Sequence, residues 1–256
     1  MRIFTSNKLL ARVAGAAFWI VIWQLASRLI DNPITIASPL ETVSALGRLS
    51  TTAAFWGQVA RTCEMILLGF FAALAAGMLL AVAASASSLA KLLIDPLARI
   101  IKAVPVASFI IMALLWIRST WLPCFISFLM VVPIVYINGC AGIASADPKL
   151  LEAARVFETP PGKKMKAIYL PAVLPHFLSA ARTGLGLCWK SGIAAEVIVL
   201  PRGTIGEQLY YAKLYLQTDE LFAFTLTIVV LSALFEWLFT RGLTALARRF
   251  GGENHA

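Results

Sequence analysis

Six stretches of this chain, at about residues 13–29, 60–84, 92–117, 122–143, 178–200 and 221–246, are apolar for long enough to be read as membrane spans. A backbone in hydrocarbon has no water to satisfy its N–H and C=O groups, so runs of this length predict α-helices. Composition agrees: the 256 residues are 60% hydrophobic and 14% charged, with a mean hydropathy of +0.83. A soluble protein carries roughly 25% charged residues, and a fold of this size has no core able to hide such an excess of apolar surface. Disorder requires the opposite composition. The expected fold class is therefore all-α, a polytopic membrane protein of about six transmembrane helices in a single domain, 1–256. The first run follows Arg2, Lys8 and Arg12, as the core of a signal peptide would. It is long, however, contains Trp19 and Trp23, and no small-residue cleavage pattern follows it, so it is read as a retained helix. Pro96 and Pro105 interrupt the third run, and Pro133 lies inside the fourth.

The net charge of +9 is a statement about topology. The basic residues are scattered between apolar runs, which is not the clustered pattern of a nucleic-acid surface. Placing the N-terminus in the cytoplasm puts 15 of the 22 Lys and Arg in inside segments, the bias expected of cytoplasmic loops. The expectation is an N-in, C-in protein of a bacterial cytoplasmic membrane, with residues 144–177 facing the cytoplasm. Residues 30–59 then lie outside, where Leu40, Val43, Leu46 and Leu49 fall at helical spacing and predict a short amphipathic helix on the membrane surface. Cys63, Cys124, Cys140 and Cys188 form no CxxC pair and sit in apolar stretches. They are read as free, buried thiols, and with two His in the chain no zinc-ligand spacing exists.

The long polar stretch 144–177 carries the most information. Asp147 followed by Pro148 is an N-cap with proline at the first helical position. Leu150, Leu151, Ala154 and Phe157 fall on one face of the helix that follows. Pro160-Pro161-Gly162 predicts a turn, and a second short basic helix is expected to end before Pro171. This helix–turn–helix is too short and polar to cross a membrane. Its apolar stripe requires cover, from a partner or from the lipid surface.

Glu152-Ala153-Ala154, followed in register by Ile168-x-Leu170-Pro171 and Pro175, resembles the EAA loop of permease subunits of ABC importers, and most closely the nitrate/sulfonate/taurine-type branch. Other segments carry the same resemblance: Thr62 with Gly69-Phe70; Pro96 and Pro105; Val132-Pro133-Ile134 with Asn138 and Gly142; Ala194-Ala195-Glu196; and Gly203-x-x-Gly206. It covers the chain from about Pro39 to the C-terminus. Three positions depart from it. Glu158 stands where the family usually has glycine, with Pro160-Pro161-Gly162 expected to make the turn instead, and Met65 and Lys102 replace common arginines.

The resemblance implies a type I ABC importer permease fold and a division of labour. Two permeases pair, a homodimer being the simplest arrangement. Each docks its loop into a groove on a separate ATP-binding subunit, which holds ATP and magnesium. An extracellular or periplasmic binding protein delivers the solute, a small polar molecule that is anionic or like a vitamin precursor. This chain has no Gly-x-x-x-x-Gly-Lys-Ser/Thr loop, so it is expected to be no enzyme and to bind no cofactor or metal. Glu152, Ala153, Ala154, Arg155, Val156, Phe157 and Gly162 are the expected coupling residues. Lys190, Glu196 and Glu236 are ionisable groups in apolar runs; they either line the translocation path or lie at the interface and snorkel. A stand-alone secondary transporter or channel is the alternative. It has no internal repeat in its favour and leaves the loop without a role. A membrane enzyme would need a nucleophile, metal or acid–base set, and HExxH, GxSxG and paired aspartates are absent from the sequence.

Overall fold

The computed structural model describes the backbone of residues 3–30, 32 and 34–250, and side chains at 11, 14–30, 32 and 34–242. Arg2 and the side chains of Lys8, Arg12, Arg248 and Arg249, which entered the charge argument, lie outside the described residues. Every regular element described is helical. In chain order these are α1 (Ile3–Ile30), α2 (Pro39–Ser50), α3 (Ala53–Ala86), α4 (Ser88–Ala103), α5 (Val106–Ala113), α6 (Leu122–Ala144), α7 (Pro148–Val156), α8 (Pro161–Lys164), α9 (Leu170–Val199), α10 (Ile205–Leu214) and α11 (Thr218–Phe250). A 3₁₀ turn, Ser119–Trp121, leads into α6, and a π-helical turn, Met165–Tyr169, joins α8 to α9.

Three of these helices are by themselves long and apolar enough to span a bilayer: Ala53–Ala86, Ser119–Ala144 and Thr218–Gly242. The expected third span is not one straight helix. It is divided into α4 and α5, which meet at 105°. Pro105 cannot donate a backbone hydrogen bond and disfavours the α conformation in the residue before it. Val104 is accordingly extended, at φ −80° and ψ 134°. Pro96 and Pro133, by contrast, are accommodated inside α4 and α6. In α1 the described apolar part is Ala14–Ile30. The fifth expected span starts earlier than its apolar run suggests: α9 begins at Leu170, and Pro171 lies in its first turn. The basic helix expected to end before Pro171 instead runs through the π turn into α9 without interruption.

α6 packs along α3 on one side and α9 on the other. Their shared core holds Ile66, Phe70 and Leu74 from α3, Val131 and Val135 from α6, and Leu185 and Trp189 from α9. The helices come this close because small residues sit at the crossing. A Cβ at Gly69 would overlap the backbone carbonyl of Cys124 on α6. A second cluster, with Ile101, Ile110, Ile126 and Ala195, fastens the bent pair to α6 and α9. α11 closes the group with Phe239 on Phe70 at 5.2 Å and Phe235 on Trp189 at 5.6 Å.

α2 begins with a complete capping box. Ser38 accepts from the Glu41 N–H, and the Glu41 carboxylate accepts from the Ser38 N–H at 2.8 Å. The helix buries Thr42 and Ala45, and Leu46 and Leu49 pack near Phe55 and Phe224. Leu40 and Val43 are 77% and 60% exposed, so the protein covers only the C-terminal half of the expected stripe. Arg48 donates to Asp219 at 2.7 Å, tying α2 to α11. The four cysteines are free; Cys188 is buried and the other three are half-buried.

Candidate functional site

The loop between α6 and α9 is built from its N-cap outward. Asp147 accepts from the Lys149 N–H at 2.9 Å, and Pro148 opens α7. Glu152, Ala153 and Arg155 are exposed, while Leu151 and Ala154 are half-buried. The expected apolar stripe is therefore divided. Leu151 and Ala154 turn toward the protein. Leu150 is 51% exposed, Val156 77% and Phe157 81%. Phe157 leaves the helical face because it is the C-cap, at φ −86° and ψ 9°. The result is an exposed pair, Val156 and Phe157, beside the charged residues Glu152 and Arg155.

The turn after α7 differs from expectation. Glu158 adopts the left-handed conformation, φ 47°. The Thr159 N–H donates to the Ala154 carbonyl at 2.9 Å and the Glu158 N–H to the Arg155 carbonyl at 3.2 Å. These two bonds are the Schellman arrangement that glycine ordinarily completes. Glu158 thus makes the turn at the very position where the family's glycine would stand, at a cost of about 1–2 kcal/mol. Pro160-Pro161-Gly162 does not make it. Pro160 is the N-cap and Pro161 the first residue of α8. Gly162 is exposed with open space around it, so no steric demand for glycine exists there. Lys164 lies over the ring of Tyr169, 5.9 Å from its centroid. His176 bonds through Nδ1 to the Ala172 carbonyl at 3.2 Å, a contact within its own helix.

Of the three ionisable residues expected to face a path or an interface, Lys190 and Glu236 are exposed and Glu196 is fully buried. Glu196 joins three elements at the far end of α9 from the loop. Its Oε2 accepts from the Thr62 hydroxyl of α3 at 3.0 Å and from the Gly206 N–H at 2.9 Å. The Thr62 oxygen in turn accepts from the Ile205 N–H at 3.0 Å. Ile205 and Gly206 are the first residues of α10, whose N-cap Thr204 accepts from the Glu207 N–H. A helix N-terminus presents free N–H groups and positive partial charge, so α10 is held by a carboxylate at the end that favours one. A Cβ at Gly206 would overlap that of Glu196. Oε1 of Glu196 is buried with no hydrogen-bond partner among the described residues.

Two polar pairings escaped the sequence reading. Thr62 as the partner of Glu196 is one; the only signal was the presence of both residues among the family-like segments. The other involves Asp95. It lies inside α4 and accepts a hydrogen bond from the Tyr136 hydroxyl of α6. Among the described residues no group of three His, Cys, Asp or Glu is arranged to hold a metal ion.

Residues 65–252 match the family described as the binding-protein-dependent transport system inner membrane component, and the chain belongs to that family. It is 26% identical to the taurine transport system permease protein TauC of Escherichia coli K12 over 235 residues, covering 90% of this chain and 84% of that protein. It is 27% identical over 210 residues to the putative aliphatic sulfonates transport permease protein SsuC of Bacillus subtilis 168, covering 80% and 74%. A crystal structure described as an amino acid ABC transporter with histidines shares the fold, with a TM-score of 0.60 at 18% identity over 80% of this chain and 97% of that one. The chain is a permease subunit of an ABC importer of the nitrate/sulfonate/taurine branch, a multi-pass inner-membrane component of a transport system.

Proposed function

We propose that two copies of this chain form the pathway for a small anionic solute, with an organic sulfonate the first candidate. Each copy couples that pathway to ATP hydrolysis through the segment containing Glu152, Ala153, Ala154, Arg155, Val156, Phe157 and Gly162. The supporting observation is the exposure of Val156 and Phe157 beside Glu152 and Arg155 on a short, well-capped helix between two long ones. Water disfavours such a pair, and a groove on a separate ATP-binding subunit covers it. ATP and magnesium belong to that subunit. ATP-driven closure of its dimer moves the loops and rocks the two permeases between inward-open and outward-open arrangements. A binding protein hands over the solute at the opposite face, where α10 lies, and both termini are cytoplasmic.

The solute class rests on relatives whose names specify taurine and aliphatic sulfonates. Both solutes carry a sulfonate, and the exposed Lys190 supplies a cation for it in this reading. Glu236 is the second path residue, and Glu196 acts behind the path by fixing α10. Glu152→Lys and Phe157→Asp test the coupling. Each places an unmatched charge in a desolvated contact, at a cost of several kcal/mol. Both variants should insert normally, co-purify poorly with the ATP-binding subunit and lose uptake. Charge changes at Lys163 and Lys164 should do much less. Full uptake and full ATPase association in both loop variants would remove this loop as the coupling element and make a stand-alone carrier the better account.

A further inference from the structure

The ends of α3, α6 and α9 nearest the loop, with the start of α4, form two adjoining cavities to which the proposed import mechanism assigns no role. The larger, of about 540 Å³, is a groove walled by Met78, Val82, Ile143, Leu170, Val173 and Phe177, with Tyr169 at its side. The other, of about 430 Å³, is lined by Ser85, Ser87, Ser88 and Lys91 together with Cys140. Ser85, Ala86 and Ile143 belong to both, so the two form one continuous site with an apolar tail and a polar, cationic head.

The charge at the head is uncompensated. Among the described residues the only ion pair is Arg48 with Asp219, so Lys91 has no carboxylate beside it. The acid one turn further along α4, Asp95, takes its hydrogen bond from Tyr136. A second ammonium, that of Lys164, sits over the ring of Tyr169, on the wall of the groove. The surroundings are those of a lipid-facing surface. Met78 and Val82 belong to the apolar span Ala53–Ala86, and Leu79, Leu89, Leu92 and Leu93 point outward around the site. A soluble partner would leave these leucines in water, whereas a bilayer covers them. Basic residues at the level of the headgroups attract anionic lipids.

We propose that this site binds one anionic phospholipid, with its phosphate at Ser87, Ser88 and Lys91 and an acyl chain in the groove between α3, α6 and α9. Such a lipid would fill the space beside the first turns of α9 and hold the start of that helix against α3. The occupant is a lipid and not a second protein.

The test uses the whole importer in phosphatidylcholine nanodiscs doped with a minority of phosphatidylglycerol, read by native mass spectrometry. The wild-type permease should retain phosphatidylglycerol in preference to phosphatidylcholine. Lys91→Glu should lower that retention about fivefold, and Ser85→Trp, which obstructs the junction of the two cavities, should lower it comparably. Both positions are exposed, so the variants should fold. Lys149→Glu, an equal charge change that lines neither cavity, should leave retention unaltered. Equal retention of the two lipids would overturn the proposal, as would undiminished phosphatidylglycerol retention in both variants. So would capture of the ATP-binding subunit, in place of lipid, by a photo-crosslinking residue at Val82.

Discussion

Glu158 occupies a left-handed position that favours glycine, and Glu196 is a carboxylate sealed among helices. At the first, glycine should be the better residue. Glu158→Gly removes the steric conflict of the Cβ but frees the unfolded chain, for a net gain of about 0.5–1 kcal/mol in the local turn. The amide of Thr159, which donates across that turn, should exchange with deuterium roughly two- to fivefold more slowly. Faster exchange would show that Glu158 contributes something other than backbone geometry. At the second, Glu196→Ala leaves the Gly206 N–H and the Thr62 hydroxyl without their acceptor, and should cost roughly 2–4 kcal/mol in detergent unfolding. Glu196→Gln keeps an acceptor oxygen and should cost less; equal losses would mean that the negative charge itself holds α10. Glu196 was visible in the sequence as an ionisable group in an apolar run. Its role was not, because its partners lie 134 and 10 residues away and no periodicity links them. The helix that carries residues 152–156 was legible because capping signals are local. What the sequence could not show was that Phe157 leaves the stripe, since that depends on where the helix ends.

Elements obey the same division between local and distant information. Long apolar runs gave α3, α6 and α11 because hydropathy averages over whole helices. The angle between α4 and α5 does not enter such an average. Pro105 was a visible interruption, but the 105° bend also depends on where each half finds its core, with Ile101 and Ile110 both drawn onto α6. α9 starts before its apolar run because Phe177 packs on the core shared with α3 and α6 and because Val173 and His176 lie against Gly142 of α6, contacts that need the third dimension. The α3–α6 crossing gives a direct test. Gly69→Ala should push the two helices apart and destabilise the protein by about 1–3 kcal/mol, seen as a lower unfolding temperature. Gly47→Ala, in α2 with open space around it, should instead stabilise slightly, by about 0.4–1 kcal/mol. If the two substitutions behave alike, close approach at Gly69 is not what sets the crossing.

For the whole molecule, the proposed orientation rests on the charges and a mechanical continuity on the backbone. With the four native cysteines replaced by alanine, a cysteine at Asn254, a position beyond the described residues, should resist a membrane-impermeant reagent added to intact cells. Ready labelling would reverse the proposed orientation. An intact-mass measurement should find two copies of this chain per importer; one copy beside a different permease would refute the homodimer and leave the transporter class standing. From Pro161 to Val199 the chain is helical without interruption, through α8, the π turn and α9, a path of about 55–60 Å. One end carries the residues adjoining the coupling loop, and the other carries Glu196 with α10 attached. A stiff rod has no means of absorbing a tilt locally: rotation by ~5° about its middle carries each end ~2.5 Å in opposite directions. Torque applied beside the loop would therefore reach the α10 end without any relay of side chains, and the wider turn of the π segment, with Pro175 beyond it, is where the shaft bends most easily. Inserting two glycines after Lys166 should turn shaft into hinge, leaving assembly and ATP hydrolysis intact while uptake falls, and unimpaired uptake would show that force travels by another route.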